Sequence, residues 1–219
     1  MRFDKIMASE KLRPFIKYFV ISENTNENIY KVFPSTALVI GFQYKGKLTL
    51  LNEKTENLLT GSGITGLSDS YKFFKNTAGI GTILIYFTET GIAHFSNSPA
   101  HEIFNQSISL DNLFGKKKVT ATEEKLFNAR TDEERIKITE KFLWSEIKDK
   151  QEDKLIVEAV RMIYASKGSI KIKELNEKLF ISQSPFEKRF RKIVGTTPKK
   201  FSSIVKQRGF AVSDCYPSW

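Results

Sequence analysis

Ser184, Glu187, Lys188 and Arg191 are spaced three and four residues apart, so on a helix they share one face. A hydroxyl, a carboxylate, an ammonium and a guanidinium on one face form a hydrogen-bonding set suited to recognising a polar, anionic partner. The chain offers little for covalent chemistry. No serine sits in a G-x-S-x-G elbow, and no pair of carboxylates has a recognisable context. His94 and His101 are the only histidines and Cys215 the only cysteine, which argues against a zinc site. Gly61-Ser-Gly-Ile-Thr-Gly66 matches G-x-G-x-x-G literally, but a dinucleotide site needs a long helix opening on the third glycine. Leu67-Ser-Asp-Ser70 and an aromatic stretch follow instead, so these read as turn glycines. No enzyme, cofactor or metal is expected.

The elements that would position the polar face are legible. Phe186, Phe190, Ile193 and Val194 fall at i, i+4, i+7 and i+8, one apolar stripe of a helix over Gln183–Val194. Ser182 is placed to N-cap it through its hydroxyl, and Pro185 falls in its first turn. Gly195 supplies a left-handed stop, and Thr197-Pro198 opens another helix. Helical patterns over Lys154–Ala165 and Lys171–Phe180 precede it, and Ile181-Ser182 leaves room only for a tight turn. A supporting helix, a short helix, a tight turn and a basic helix make a helix-turn-helix arrangement. A cationic helix face suits a DNA major groove; the same pattern also fits a solvated surface helix.

The 219 residues carry a formal charge of +10. Residues 1–150 hold 21 Lys+Arg and 18 Asp+Glu, whereas residues 151–219 hold 14 and 7. Between Ser182 and Arg208 there are eight basic residues and one Glu, a local field that favours a polyanion. No apolar run approaches the ~18–20 residues of a membrane span, and the N-terminus lacks a signal-peptide core. A single cysteine permits no intrachain disulfide, which fits a cytoplasmic protein.

Residues 10–88 read as antiparallel β structure. Leu12–Ile21 suggests a strand with Pro14 near its start. Thr36–Tyr44 and Lys47–Leu51 flank Lys45-Gly46 as a hairpin would. Further strands are expected within Leu58–Leu67, at Tyr71–Phe74 and at Thr82–Phe87, the last a continuous apolar run and so central. Strands Val39–Phe42 and Ile83–Phe87 read as ordinary core in preference to a ligand cavity. From Glu89 the pattern turns helical, with short helices at Thr90–Phe95 and Leu110–Phe114 and longer ones at Thr122–Ala129 and Asp132–Lys148. Lys116-Lys-Lys118 reads as a solvated loop, and Lys148–Asp153 as a charged junction between domains.

Ile172-Lys-Glu-Leu175, Leu179-Phe-Ile-Ser182, Phe186-Glu-Lys-Arg-Phe-Arg191, Gly195-Thr-Thr-Pro198 and Phe201 together resemble the first helix-turn-helix of AraC-type transcription regulators. The resemblance covers residues 153–208. More loosely, residues 10–145 resemble the β-rich N-terminal domain of some members. It implies a bacterial regulator that binds double-stranded DNA. Ser184, Glu187 and Lys188 would face base edges, Lys188 donating to guanine and Glu187 accepting from a cytosine amino group. Ser182, Gln183, Arg191 and Lys192 would contact phosphate. Phe186 and Phe190 would hold the helix against Leu175, Leu179 and Phe201.

Three positions depart from the family pattern. Asn176 replaces a small residue, Lys171 replaces a Ser/Thr cap, and Gly209 replaces a leucine, beyond which the helix should fray. The tail to Trp219 lacks the family's second helix-turn-helix and reads as a truncated or frame-altered end, the alternative being a natural half-length member. The expected fold class is α+β: an antiparallel β-rich domain (cupin-like, a sandwich or a small barrel) at 1–118, a helical linker at 119–150, an all-α helix-turn-helix domain at 151–208 and an atypical tail at 209–219. The expected function is sequence-specific DNA-binding regulation. The alternative is a ligand-binding or dimerising module without regulatory activity of its own. A small-molecule effector and homodimerisation both remain open as partners.

Overall fold

The computed structural model describes residues 1–52 and 55–211. The strands are β1 (Arg2–Ile6), β2 (Ile16–Asn24), β3 (Asn28–Val32), β4 (Val39–Lys45), β5 (Leu48–Asn52), β6 (Thr55–Leu58), β7 (Ser62–Thr65), β8 (Lys72–Asn76) and β9 (Ile80–Phe87). Two 3-10 helices follow at Gly91–His94 and Ala100–Ile103, and then β10 (Ser107–Ser109). The remainder is helical: α1 (Asp111–Phe114), α2 (Lys116–Asn128), α3 (Asp132–Glu146), α4 (Lys154–Ala165), α5 (Ile172–Lys178), α6 (Gln183–Val194) and α7 (Pro198–Ala211). No helix among the described residues is long and apolar enough to cross a membrane.

The strands form two antiparallel sheets, ordered β1-β2-β9-β4-β7-β10 and β3-β8-β5-β6. The chain crosses between the sheets at six of the nine connections between the described strands, as in double-sheet jelly rolls. The fold class is therefore α+β, with β-rich and helical parts in that order. The apolar run of β9 is central, paired on one side with β2 and on the other with β4. The hairpin expected around Lys45-Gly46 is absent. β4 pairs with β7 and β9, while β5 pairs with β6 and β8. A glycine turn signals a change of direction but does not choose the partner strand. Here Gly46, at φ 66, passes the chain to the other sheet, and the Lys47 N–H donates to Thr77 Oγ1 at 2.9 Å.

Register puts Phe19, Ile21, Ile40, Phe42, Ile83 and Ile85 on one face of the larger sheet, and all are at most 1% exposed. That face is covered by helices: Phe42 meets Phe142 of α3 edge-on at 5.5 Å, and Phe142 meets Phe114 of α1 at 5.3 Å. These strands are core, as expected. α3 opens on a reciprocal capping box between Thr131 and Glu134, which satisfies two orphan N–H groups. Lys116–Lys118 is not a loop but the first turn of α2, with Lys118 Nζ 2.7 Å from Glu146 of α3. Burial of Val119, Thr122 and Leu126 along one stripe draws the preceding lysines, which are good helix formers, into the helix.

In the helical part, α4 buries Ile156, Ala159, Val160 and Ile163 against Leu175 of α5, Phe186, Phe190 and Val194 of α6, and Phe201 and Val205 of α7. α4 and α6 have the bounds expected from sequence. α7 runs past Gly209 to Ala211, and the rest of the tail lies outside the described residues. α4 and α7 approach closely beside Gly168: at φ 75, a Cβ there would stand 2.2 Å from the Ser202 carbonyl oxygen.

This helical unit is tied to the β-rich part by contacts of three kinds. The Tyr164 hydroxyl at the end of α4 donates to Glu89 and lies 2.8 Å from Thr36 Oγ1; Glu89, 8% exposed, also accepts from Lys17 Nζ at 2.5 Å. Lys200 of α7 pairs with Asp69 at 2.7 Å and holds that carboxyl below the usual carboxylate range. The C-terminal end of α6 abuts the 3-10 helix at Ala100–Ile103, where Gly195 faces Ala100. Tyr164→Phe should therefore lower folding stability by about 1–2 kcal/mol, through a buried carboxylate that loses a donor; chemical denaturation of both proteins measures it.

Candidate nucleic-acid interface

α6 divides as its sequence suggests. Phe186 and Phe190 are fully buried with ring centroids 5.7 Å apart, and Phe190 meets Phe201 at 5.6 Å. Tyr164 closes the series on the far side of Phe201 at 5.7 Å. Leu175 is fully buried, and Leu179 packs against the same cluster. Gly195 ends the helix in the left-handed region at φ 104, and Thr197 Oγ1 accepts from the Lys200 N–H at the start of α7.

Ser182, Gln183, Ser184, Lys188, Arg191 and Lys192 are all exposed, and Glu187 is half-buried. Gln183 and Glu187 are joined by a hydrogen bond, Nε2 donating to Oε1 at 2.9 Å. Among the described residues no ion pair engages Lys188, Arg191 or Lys192. The face thus presents an ammonium pair and a guanidinium without internal carboxylate partners, beside hydroxyl and amide donors. Such a set can hydrogen-bond to phosphate or to polar base edges.

Ser182 occupies the N-cap position in extended conformation, but its hydroxyl makes no capping bond. Pro185 explains this in part: it stands at the third helical position, one of the two that normally donate to the cap, and has no N–H. The expected side-chain cap is therefore not formed, and the hydroxyl stays on the exposed surface.

Arg189 was not among the sequence candidates, and its surroundings show why it differs from its neighbours. It grips Asp153 through Nε and Nη2 at 2.8–3.0 Å. Asp153 in turn N-caps α4 through the Ile156 N–H. One carboxylate therefore sets both the start of α4 and the roll of α6. No local sequence signal could have shown a pairing across 36 positions. The junction before α4 also contributes charge. Lys150 Nζ donates to the carbonyls of Ala93 and Ser96, both at 2.8 Å. Burial, with Lys148 and Lys192 nearby, pushes its pKa below the ordinary lysine value. The junction is thus pinned to the β-rich part and lies beside the C-terminal half of α6.

The two departures noted in α5 have structural counterparts. Lys171 provides no side-chain cap. The Asn176 Oδ1 is buried and accepts no hydrogen bond. Elsewhere, the grooves in the helical surface are open. One of about 650 Å³ runs between α4 and α5 past Arg161, Met162, Ile170 and Glu174. No group of three or more His, Cys, Asp or Glu residues forms a metal-binding cluster among the described residues.

Two measurements test this geometry. Asn176→Ala should raise stability by roughly 1 kcal/mol by deleting an unsatisfied buried acceptor within a helix, read as a higher denaturation midpoint. Asp153→Ala should cost about 1–2 kcal/mol, because it removes the α4 cap as well as the ion pair. Arg189→Ala, which leaves the cap in place, should cost less than about 1 kcal/mol.

Residues 4–109 match a family described as a domain of unknown function (DUF6597). No curated protein sequence matches the chain. Among solved structures, the chain is similar to apo ToxT from Vibrio cholerae strain SCE256, a single-residue variant, at 10% identity and a TM-score of 0.46, over 89% of this chain and 82% of that one. Wild-type ToxT of the same strain, bound to an unsaturated fatty acid, aligns at 10% identity and a TM-score of 0.43, over 89% and 80%. The AraC-like transcriptional activator CuxR aligns at 14% identity and a TM-score of 0.33, over 96% and 86%.

Proposed function

We propose that the chain is a DNA-binding transcription regulator of the AraC type that enters the major groove with α6. The observation that carries this reading is the exposed, internally unpaired cationic face of Lys188, Arg191 and Lys192 on a helix whose other face is locked by Phe186 and Phe190. A rigid apolar anchor behind a free polar face fixes the donors in space before a partner arrives.

The residues divide by reach. Ser184, Glu187 and Lys188 read base edges, with Lys188 suited to guanine O6 and N7. The hydrogen bond from Gln183 to Glu187 fixes the carboxylate against the helix, so that it can accept from a cytosine amino group. Ser182, Gln183, Arg191 and Lys192 meet phosphates, which position the helix without specifying sequence. Domain limits follow the same reading: a β-rich effector or interaction domain at 1–118, helical linker residues at 119–150 and the DNA-binding unit at 151–208.

A second reading, a dimerising or ligand-binding module without regulatory activity of its own, draws on the exposed apolar face of the smaller sheet. Ile29, Phe33, Leu58 and Tyr71 there are 44–61% exposed.

Binding to a labelled duplex from the DNA upstream of the protein's own coding sequence should weaken steeply with salt. Lys188→Ala should reduce the preference between sequences, at a cost of about 1–3 kcal/mol on the best site. Arg191→Ala should weaken binding on all sequences alike and flatten the salt slope by about one. Absence of salt-dependent binding by the wild-type chain would remove the DNA reading and leave the second.

A further inference from the structure

α5 ends in a Schellman motif. The Ile181 N–H donates to the Asn176 carbonyl at 3.1 Å, and the Phe180 N–H to the Glu177 carbonyl at 3.2 Å. This closure places Phe180 in the left-handed region, at φ 51. Glycine is the residue that meets this demand without strain. A bulky side chain there is a steric outlier. Phe180 is also 97% exposed, more than any other large apolar residue described.

Two unfavourable features therefore coincide on one residue, and no contact within the described chain offsets them. Lys167 occupies the same left-handed position at the end of α4, with φ 53. It is comparable in backbone but not in chemistry, because its ammonium is well solvated. A phenyl ring held in water at a position that favours glycine points to an external partner, since strain of this kind persists where function uses it.

The location identifies the partner. Phe180 stands two residues before Ser182, at the opening of α6, beside the exposed Gln183 and Ser184. In a helix-turn-helix, residues at the N-terminal end of the recognition helix lie nearest the bases. The surrounding field is cationic, which suits the phosphate backbone and not an apolar protein surface. We infer that Phe180 is an apolar contact to duplex DNA, its ring packed against thymine 5-methyl groups or deoxyribose at the edge of the major groove. Phe is suited to the thymine methyl. The inference rests on the DNA-binding reading above.

The test uses the full chain and the labelled upstream duplex. Phe180→Gly removes both the ring and the strain, and Phe180→Asn removes the ring while keeping a residue that accepts left-handed backbone. Both variants should melt at or above the wild-type temperature and bind the duplex at least about fivefold more weakly. The slope of affinity against salt should not change, since no phosphate contact is lost. The same duplex made with deoxyuridine in place of thymidine locates the contact. If wild type weakens on it and the variants do not, the ring meets the methyl group; equal behaviour of all three assigns it to deoxyribose. Unchanged affinity in both variants, or recovery in the Asn variant alone, overturns the contact. So does a lower melting temperature in both variants, which would mean that the ring packs within the protein. A wild-type chain that binds no duplex at low salt overturns this inference together with the DNA reading. A wild type that binds, with variants that match it, overturns the Phe180 contact alone.

Discussion

The series of edge-on aromatic contacts from Phe186 through Phe190 and Phe201 to Tyr164 fixes everything the exposed face of α6 can do. α6 is twelve residues long, short enough to be marginal as an isolated helix. Its stability and its roll both come from burying one stripe. The phenyl rings carry large apolar area and prefer tilted or perpendicular neighbours, so the stripe seats in a narrow range of orientations. The pair of Arg189 with Asp153 adds a polar stop to the same rotation. Partial exposure limits what that pair contributes to stability, so the rings hold the helix and the ion pair refines its angle.

Tyr164 gives the series its second consequence. Its ring belongs to the helical core, while its hydroxyl bonds to Glu89 and Thr36 in the β-rich part. The apolar cluster is continuous from Leu12 and Ile16 to Phe201 and Val205. Of the links between the parts, Lys200 with Asp69 is partly exposed and screened by salt. The Glu89 cluster is buried, and a buried carboxylate must keep its donors. Any rearrangement that separates α4 from the larger sheet must therefore expose Glu89 or find it new partners. That requirement, more than the surface ion pair, sets how firmly α6 is held relative to the sheets.

The sequence disclosed what depends on neighbours a few positions away. The bounds of α4 and α6, the buried stripe of α6, the left-handed Gly195 and the central apolar strand β9 all follow from local spacing. Features set across the fold did not show. β1, β3 and β6 are short and largely exposed, their apolar residues included, so alternation could not mark them. Lys45-Gly46 announced a turn, yet which sheet each strand joins depends on residues far along the chain. Lys116–Lys118 looked like a loop because the helix is stabilised from the C-terminal side by burial of Val119 and Leu126. In the candidate site, the exposed residues were legible from periodicity. The Arg189–Asp153 pair and the missing cap at Ser182 were not, the first because it is distant in sequence and the second because Pro185 cancels a donor.

Four departures from local preference fall around α5 and its turn into α6, alongside others at Asn105, Lys167 and the uncapped α1 and α2. Lys171 does not cap α5, Asn176 buries an unpaired oxygen, Phe180 is left-handed, and Ser182 does not cap α6. By contrast α3 carries a full capping box and α4 an aspartate cap. Natural sequences tend to agree with their fold at every level, and disagreement clusters where another demand acts. A turn that only joined two helices would gain from glycine at 180, a small residue at 176 and a capping serine at 171. The anchor behind α6 tolerates these departures because its large buried rings outweigh a few local costs of about 1 kcal/mol each. The stability of this element is thus supplied from its buried side, which leaves its outward side free to be shaped by whatever it meets.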